Sequence, residues 1–437
     1  MRHLRNQRGA VLLALTAFLI LGIAAALTTV LARNASGAHR DRTSERALAA
    51  AREALIAYAT SRPLDEVVGP GYLPCPDLDD DGWAESTCGS LAGDIGQEQR
   101  LGRLPWKTLG LPDLRDGSGE RLWYAVSTKY KGLLNCAAST ACLDMSPDAA
   151  LGTITVRDSS GALLHDGRIA DPARASAGGA VAVIFAPGPP IDRYEGEGNP
   201  PTPQVRGCAG GTCNAAKVCT SDPPMRTPKC NPVNYLDRSA GEDNARFVDR
   251  SNAASRALNG DGFIHGPVPG PDGSVRVNDR LAVIGWSDVV PAVMRRVAQE
   301  VSLCLRQYAA DARNAGQFPW AAPACLPRDP ALTWSDEAGA RLGRIADTPF
   351  SATARDGAMS ALWPGSACGI ANADGTTAGL AAKHWWTAWK GHVFVSIEDA
   401  NRAEVFARPE TRLAPAQCEG DPSNVAFGPQ DVVVAVR

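Results

Sequence analysis

Histidine is scarce in this chain of 437 residues. There are six, His3, His39, His165, His265, His384 and His392. None belongs to an H-E-x-x-H pair, which excludes the helix-borne zinc site of metalloproteases. No G-x-S-x-G elbow occurs, and no glycine-rich phosphate loop follows a strand. Serine hydrolases of that design and P-loop nucleotide enzymes therefore lose their signatures. An excess of one charge is missing too. Lys and Arg number 44 against 47 Asp and Glu, a net charge of −3, which leaves no basic footprint for nucleic acid. Paired C-x2-C cysteines are absent as well, and with them the usual spacing of a zinc ribbon. The expectation is a protein without an enzyme's machinery.

What the chain does have is one long apolar run. A basic leader (Arg2, His3, Arg5, Arg8) ends in Gly9, and residues 10–31, AVLLALTAFLILGIAAALTTVL, carry no charge. Twenty-two residues at ~1.5 Å each are enough to cross a hydrocarbon core of ~30 Å. Positive charge is confined to the short N-terminal side, so the leader is expected in the cytoplasm and everything after Arg33 outside it. A cleaved secretory signal has a shorter apolar region, ~7–15 residues. A plain membrane anchor fits the length, but neither alternative calls for a glycine at the border of the basic and apolar segments.

A nine-residue basic leader closing on Gly9, followed directly by a membrane-length helix, resembles the N-terminus of type IV prepilins and type II secretion pseudopilins. The resemblance implies cleavage by prepilin peptidase between Gly9 and Ala10, methylation of Ala10, and assembly with other pilin or pseudopilin subunits through the N-terminal helix. It implies an inner-membrane protein with a single pass, a cytoplasmic N-terminus and a periplasmic globular part, placed at a fibre tip once assembled. The family carries Glu at the fifth mature position; here that position is Ala14. A carboxylate at membrane depth is costly without a cationic partner, and in family fibres the partner is the terminal amine of the subunit above. A subunit with nothing above it has no use for the acid, so this chain resembles a large minor or tip subunit. LPCPD, GRLPW and VAVIFAPG further resemble a group of large pilin-like bacterial proteins.

Twelve cysteines follow the apolar run in neighbouring couples: Cys75/Cys88, Cys136/Cys142, Cys208/Cys213, Cys219/Cys230, Cys304/Cys325 and Cys368/Cys418. In an exported chain they read as a disulfide framework whose connectivity stays open. Between the first two stands the run Asp77-x-Asp79-x-Asp81-Gly82. This is the spacing of the first half of an EF-hand loop, where alternating oxygens converge on a hard cation and glycine permits the turn. Trp83 would supply its carbonyl at the seventh position and Glu85 its side chain at the ninth. Cys88 stands where the bidentate acid belongs. Calcium and a plain acidic turn both remain open.

In chain order, residues 46–59 place Leu48, Ala51, Leu55 and Tyr58 on one helical face, with Pro63 ending the helix and Ser36-Gly37 a place for it to loosen. Strands are expected at residues 121–126, 153–156, 180–185 and 278–285, and a helix over residues 286–314 with Ser287 as its N-cap. Residues 188–252 are crowded with Pro, Gly, Asn and four cysteines and read as a stapled insertion anchored at residues 234–237. An internal echo links the two halves. Tyr58-Ala59 matches Tyr308-Ala309, Leu73-Pro74 matches Phe318-Pro319, and Arg100-Leu-Gly-Arg103 recurs as Arg341-Leu-Gly-Arg344.

The fold class expected is α+β: a transmembrane helix extending into a pilin-like helix on antiparallel sheet, with a second, related helix-plus-sheet module. The divisions are leader 1–9, helix 10–62, first module 63–190, insertion and connecting strand 191–285, and second module 286–437. One rival class is a membrane-tethered glycan-binding protein or adhesin, in which exposed Trp385, Trp386 and Trp389 beside His384 stack on sugar rings.

Overall fold

The computed structural model describes residues 4–62, 70–88, 97–127, 130–131, 152–167, 178–206, 230–239, 241–246, 262–310, 316–324, 337, 339–345, 389–399, 402–408 and 432–436. Of the long N-terminal helix, the side chains of 15–24, 28 and 35 onward are included. The molecule mixes helix with antiparallel sheet, an α+β architecture.

α1 runs unbroken from Leu4–Ser61, 58 residues and about 87 Å at the usual rise. Ser36-Gly37 does not interrupt it. Its two halves live in different surroundings. Leu15, Phe18, Leu19, Ile20, Leu21 and Ile23 are all exposed, and four consecutive residues at 100° per step point to every side of the helix. Further on, Ala47, Leu48, Ala51, Leu55 and Ala59 are buried, a stripe at the i, i+4 spacing that presents one face to a core. Tyr58 is half-buried at the rim. Among the described residues no helix is long and apolar enough to cross a membrane; half of residues 10–31 lies outside the side chains described.

The buried stripe packs on a four-stranded antiparallel sheet: β1 (Leu101–Arg103), β2 (Trp123–Val126), β3 (Ala182–Ala186) and β4 (Arg280–Ile284), in that order. Side chains alternate across it. Tyr124, Val126, Ala182, Ile184 and Ile284 face the helices. Trp123, Ala125, Val183, Phe185 and Leu281 face a second cluster built from the insertion, with Tyr235, Leu236 and Phe263. β3 and β4 pair although residues 187–279 intervene.

α2 (Trp286–Ala310) opens the second half. It begins one residue before Ser287, so Ser287 is not its cap. Asp288 instead reaches back to accept the Gly285 N–H at 2.8 Å. α2 packs on the last two strands of a five-stranded sheet: β5 (Ala322–Pro323), β6 (Leu342–Arg344), β7 (Val393–Asp399), β8 (Arg402–Ala407) and β9 (Val432–Val436). α1 likewise packs on the last two strands of its own sheet. The two helices touch, Arg52 bridges to Asp288 at 2.6 Å, and one core cluster joins both halves.

The echo in the sequence has a counterpart in the strands. β1 and β6 are the two Leu-Gly-Arg segments. Asp77, three residues after Pro74, bridges Arg103, and Ala322, three residues after Pro319, pairs with Arg344. Arg103 sits directly opposite Trp123 with its guanidinium 4.3 Å from the ring. Arg344 sits opposite Phe394 at 4.7 Å.

Candidate functional site

The acidic loop hangs from the outer edge of β1. Asp77 donates to the Arg103 carbonyl at 3.0 Å and accepts from the Arg103 N–H at 2.7 Å, which fixes the first residue of the loop to the sheet. The Cys75–Cys88 disulfide, Cα to Cα 5.7 Å, closes the loop at its base. Two turns are left-handed: Asp80 has φ of 65° and Gly82 of 91°. At Gly82 a Cβ would meet the Trp106 indole at 2.7 Å, so both conformation and space demand glycine there.

The loop brings together Asp77, Asp79 and Glu85. Each offers one carboxylate oxygen, and the three lie within 4.8 Å of one another. These are positions one, three and nine of the EF-hand spacing. Asp81, expected as the fifth-position ligand, is not in the cluster. Its Oδ1 accepts the Trp83 N–H at 2.7 Å, because a short side chain two residues upstream of an amide closes a local turn more readily than it reaches inward. The Trp83 side chain is 56% exposed, and its ring lies 5.9 Å from the Lys107 ammonium. Asp80, unremarked in the sequence, turns to Arg121 at 2.7 Å.

The carboxylates also brace the loop themselves. Asp77 accepts from the N–H groups of Asp80 at 2.6 Å and Gly82 at 2.7 Å, and Glu85 from Leu78 at 3.3 Å. Burial pushes the Asp77 carboxyl up to about 7, with Asp80 and Asp79 adding to it and the two N–H bonds opposing. Burial, followed by the Asp79 charge, also raises Glu85. A divalent cation would reverse that balance. Calcium takes six to eight oxygens. Three carboxylate oxygens within 4.8 Å of one another would supply only part of that number.

No protein-family model, curated protein or solved structure matches this chain.

The other expected site residues are dispersed. Gly9 and Ala10 lie within the α1 backbone. Trp389 is 1% exposed and donates to the Pro70 carbonyl at 3.3 Å, so it is core and cannot stack on a sugar. His384, Trp385 and Trp386 fall outside the described residues. Cys230 and Cys304 are disulfide-bonded, and among the described residues no cysteine is free. Cys136, Cys142, Cys208, Cys213, Cys219, Cys325, Cys368 and Cys418 fall outside them.

One cluster has no motif in the sequence. Asp237 and Asp279 are fully buried side by side, one from the insertion and the other next to β4. Asp237 accepts from Gln204 Nε2 at 2.8 Å and the Asn278 N–H at 2.7 Å. Asp279 accepts from the Asp237 N–H at 2.7 Å and Asn244 Nδ2 at 2.8 Å. Its only forewarning is the ordered look of residues 234–237.

Proposed function

We propose that this chain is a non-enzymatic, membrane-inserted minor subunit, of the tip type, in a type IV pilus or type II secretion-like assembly. The observation that carries the reading is the split character of α1. One continuous helix exposes apolar side chains on every side over residues 15–23 and then buries a single stripe against an antiparallel sheet. An all-round apolar surface is stable in lipid or among other apolar helices and unfavourable in water. Gly9 borders the apolar segment, as a prepilin peptidase site would, and Ala14 in place of Glu suits a position with no subunit above. In this reading Asp77, Asp79 and Glu85 take calcium and brace the loop at the sheet edge.

Mass spectrometry of the membrane-extracted protein tests it. The first residue is expected to be Ala10, carrying one methyl group on its amine. A chain that retains Met1, or one that starts near Arg33, overturns the pilin-like reading. The rival glycan-binding reading loses one of its three tryptophans to the core at Trp389.

A further inference from the structure

A cavity of about 290 Å³ lies in the insertion that covers the face of the first sheet turned away from the helices. Tyr194, Glu197, Arg238, Glu242, Asp243 and Arg246 line it. Apart from the tyrosine, each of these side chains is charged, so a lipid tail or an apolar ring would find no wall to rest on. The Arg276 guanidinium lies 4.3 Å from the centre of the Tyr194 ring and steadies that wall.

Much of this charge is already committed. Glu242 accepts from Arg157 at 2.6 Å and from the Gly262 N–H. Asp243 Oδ1 accepts from Arg193 and, at 3.0 Å, from the Ala245 N–H. Asp243 Oδ2 differs. Its ion contacts are Arg238 Nε at 3.9 Å and Arg246 Nε at 3.8 Å, both beyond hydrogen-bond reach. The Arg246 side chain makes no hydrogen bond to any described residue, and Arg238 makes one, to the Glu195 carbonyl at 3.2 Å. Glu197 is exposed at the cavity and has no ion-pair partner among the described residues.

Two guanidiniums converging on one carboxylate oxygen across such gaps suit a bridging group that accepts from the arginines and donates to the acid. Charge selects that group. An anion would face the carboxylates of Asp243 and Glu197, and a cation would face two guanidiniums. A neutral hydroxyl accepts and donates through one oxygen. A ring carrying several hydroxyls would bridge these atoms and reach Glu197 as well. At about 290 Å³ the cavity stands at the small end of ligand sites, room for one ring with the rest of a chain outside.

We propose that this cavity binds a neutral sugar residue of a glycan, with one hydroxyl bridging Asp243 Oδ2 to Arg238 and Arg246 and another donating to Glu197. The site is separate from the tryptophans of the rival reading and does not rest on the reading of α1.

The test passes the full-length protein, in a detergent without a sugar headgroup, over arrayed oligosaccharides of neutral hexoses and N-acetylhexosamines. Oligosaccharides of uronic acids and short uncharged peptides stand beside them on the array. Retention on at least one neutral oligosaccharide is expected. Arg246→Ala, at an exposed position and with an unchanged melt, should weaken that retention by at least about ten-fold, the factor that one hydrogen bond to a charged group is worth. Arg295→Ala, exposed on α2 and outside the cavity, should leave it unchanged. Equal losses in both variants, or none in Arg246→Ala, overturn the cavity as the site. Retention confined to the uronic acids overturns the neutral ligand, and retention on peptides alone overturns the glycan. No retention on any of the three overturns the proposal outright.

Discussion

Asp237 and Asp279 show at the scale of single residues what burial does to acids placed together. Burial raises Asp279 well above the usual carboxylate range, and the neighbouring Asp237 charge adds to it. Asp237 is pushed up to about 6, again by burial first, although the Asn278 N–H and the Arg206 charge oppose the shift. An aspartate raised in the folded state holds its proton longer there than in the unfolded chain. Its contribution to stability is therefore full below the unfolded value of about 3.9 and is lost as pH rises through about 6. Other carboxylates titrate in the same range, so the comparison has to be differential. Asp279→Asn keeps an oxygen for the Asp237 and Asn244 donors and removes the titration. Urea midpoints at pH 4.5, 5.5, 6.5 and 7.5 should show the variant gaining on the wild type as pH rises. A constant gap would mean that the pair does not titrate in this window.

At the scale of elements, the two Leu-Gly-Arg strands meet the same constraint. A Cβ on Gly102 would stand 2.6 Å from the Asp77 carbonyl oxygen, and one on Gly343 would overlap the Ala322 carbonyl. Either substitution by alanine must push a paired strand aside, at a cost of about 1–3 kcal/mol as overpacking. Thermal melts of Gly102→Ala and Gly343→Ala should both fall by several degrees; an unchanged melt in either would show that its edge strand moves freely. This echo was legible because four identical residues at matching places in two segments leave a trace in the chain. Residues 46–59 were equally legible, since helical periodicity is local, although Ala59 rather than Tyr58 completes the buried stripe. The pairing of β3 with β4 across residues 187–279 was not, because nothing local marks a partner so distant. Nor was the Asp237–Asp279 pair, whose members come from separate segments. The acidic loop stands between these cases: its spacing is in the sequence, but Asp81's turn back to the Trp83 amide is decided by local geometry. Calcium held by Asp77, Asp79 and Glu85 would stabilise the loop by about 2.7 kcal/mol at a hundredfold excess over Kd. The protein should then melt several degrees higher in calcium than in chelator, and Asp79→Ala should abolish the difference. Equal melting of the wild type in both conditions would leave the loop as a self-braced acidic turn.

At the scale of the whole molecule, one continuous helix joins an exposed apolar stretch to a buried stripe. One core joins the buried stripe of α1, the first sheet, α2 and the second sheet, so the globular part is carried by α1 as a unit. In a fibre of the proposed kind every subunit offers its apolar half to its neighbours. The family's buried Glu serves the subunit above by neutralising that subunit's terminal amine. Ala14 offers no charge, so an amine placed above this chain would stay unpaired in an apolar setting, at a cost of several kcal/mol. The position that avoids the cost is the end of the fibre. Immunogold labelling of the native assembly should therefore find this chain at one end, with few copies relative to the main subunit. Ala14→Glu adds a carboxylate that no amine above would meet, so the variant should assemble no better than the wild type. Labelling along the length of the fibre, or improved assembly of Ala14→Glu with copies incorporated below the end, would remove the tip assignment and leave an ordinary fibre subunit.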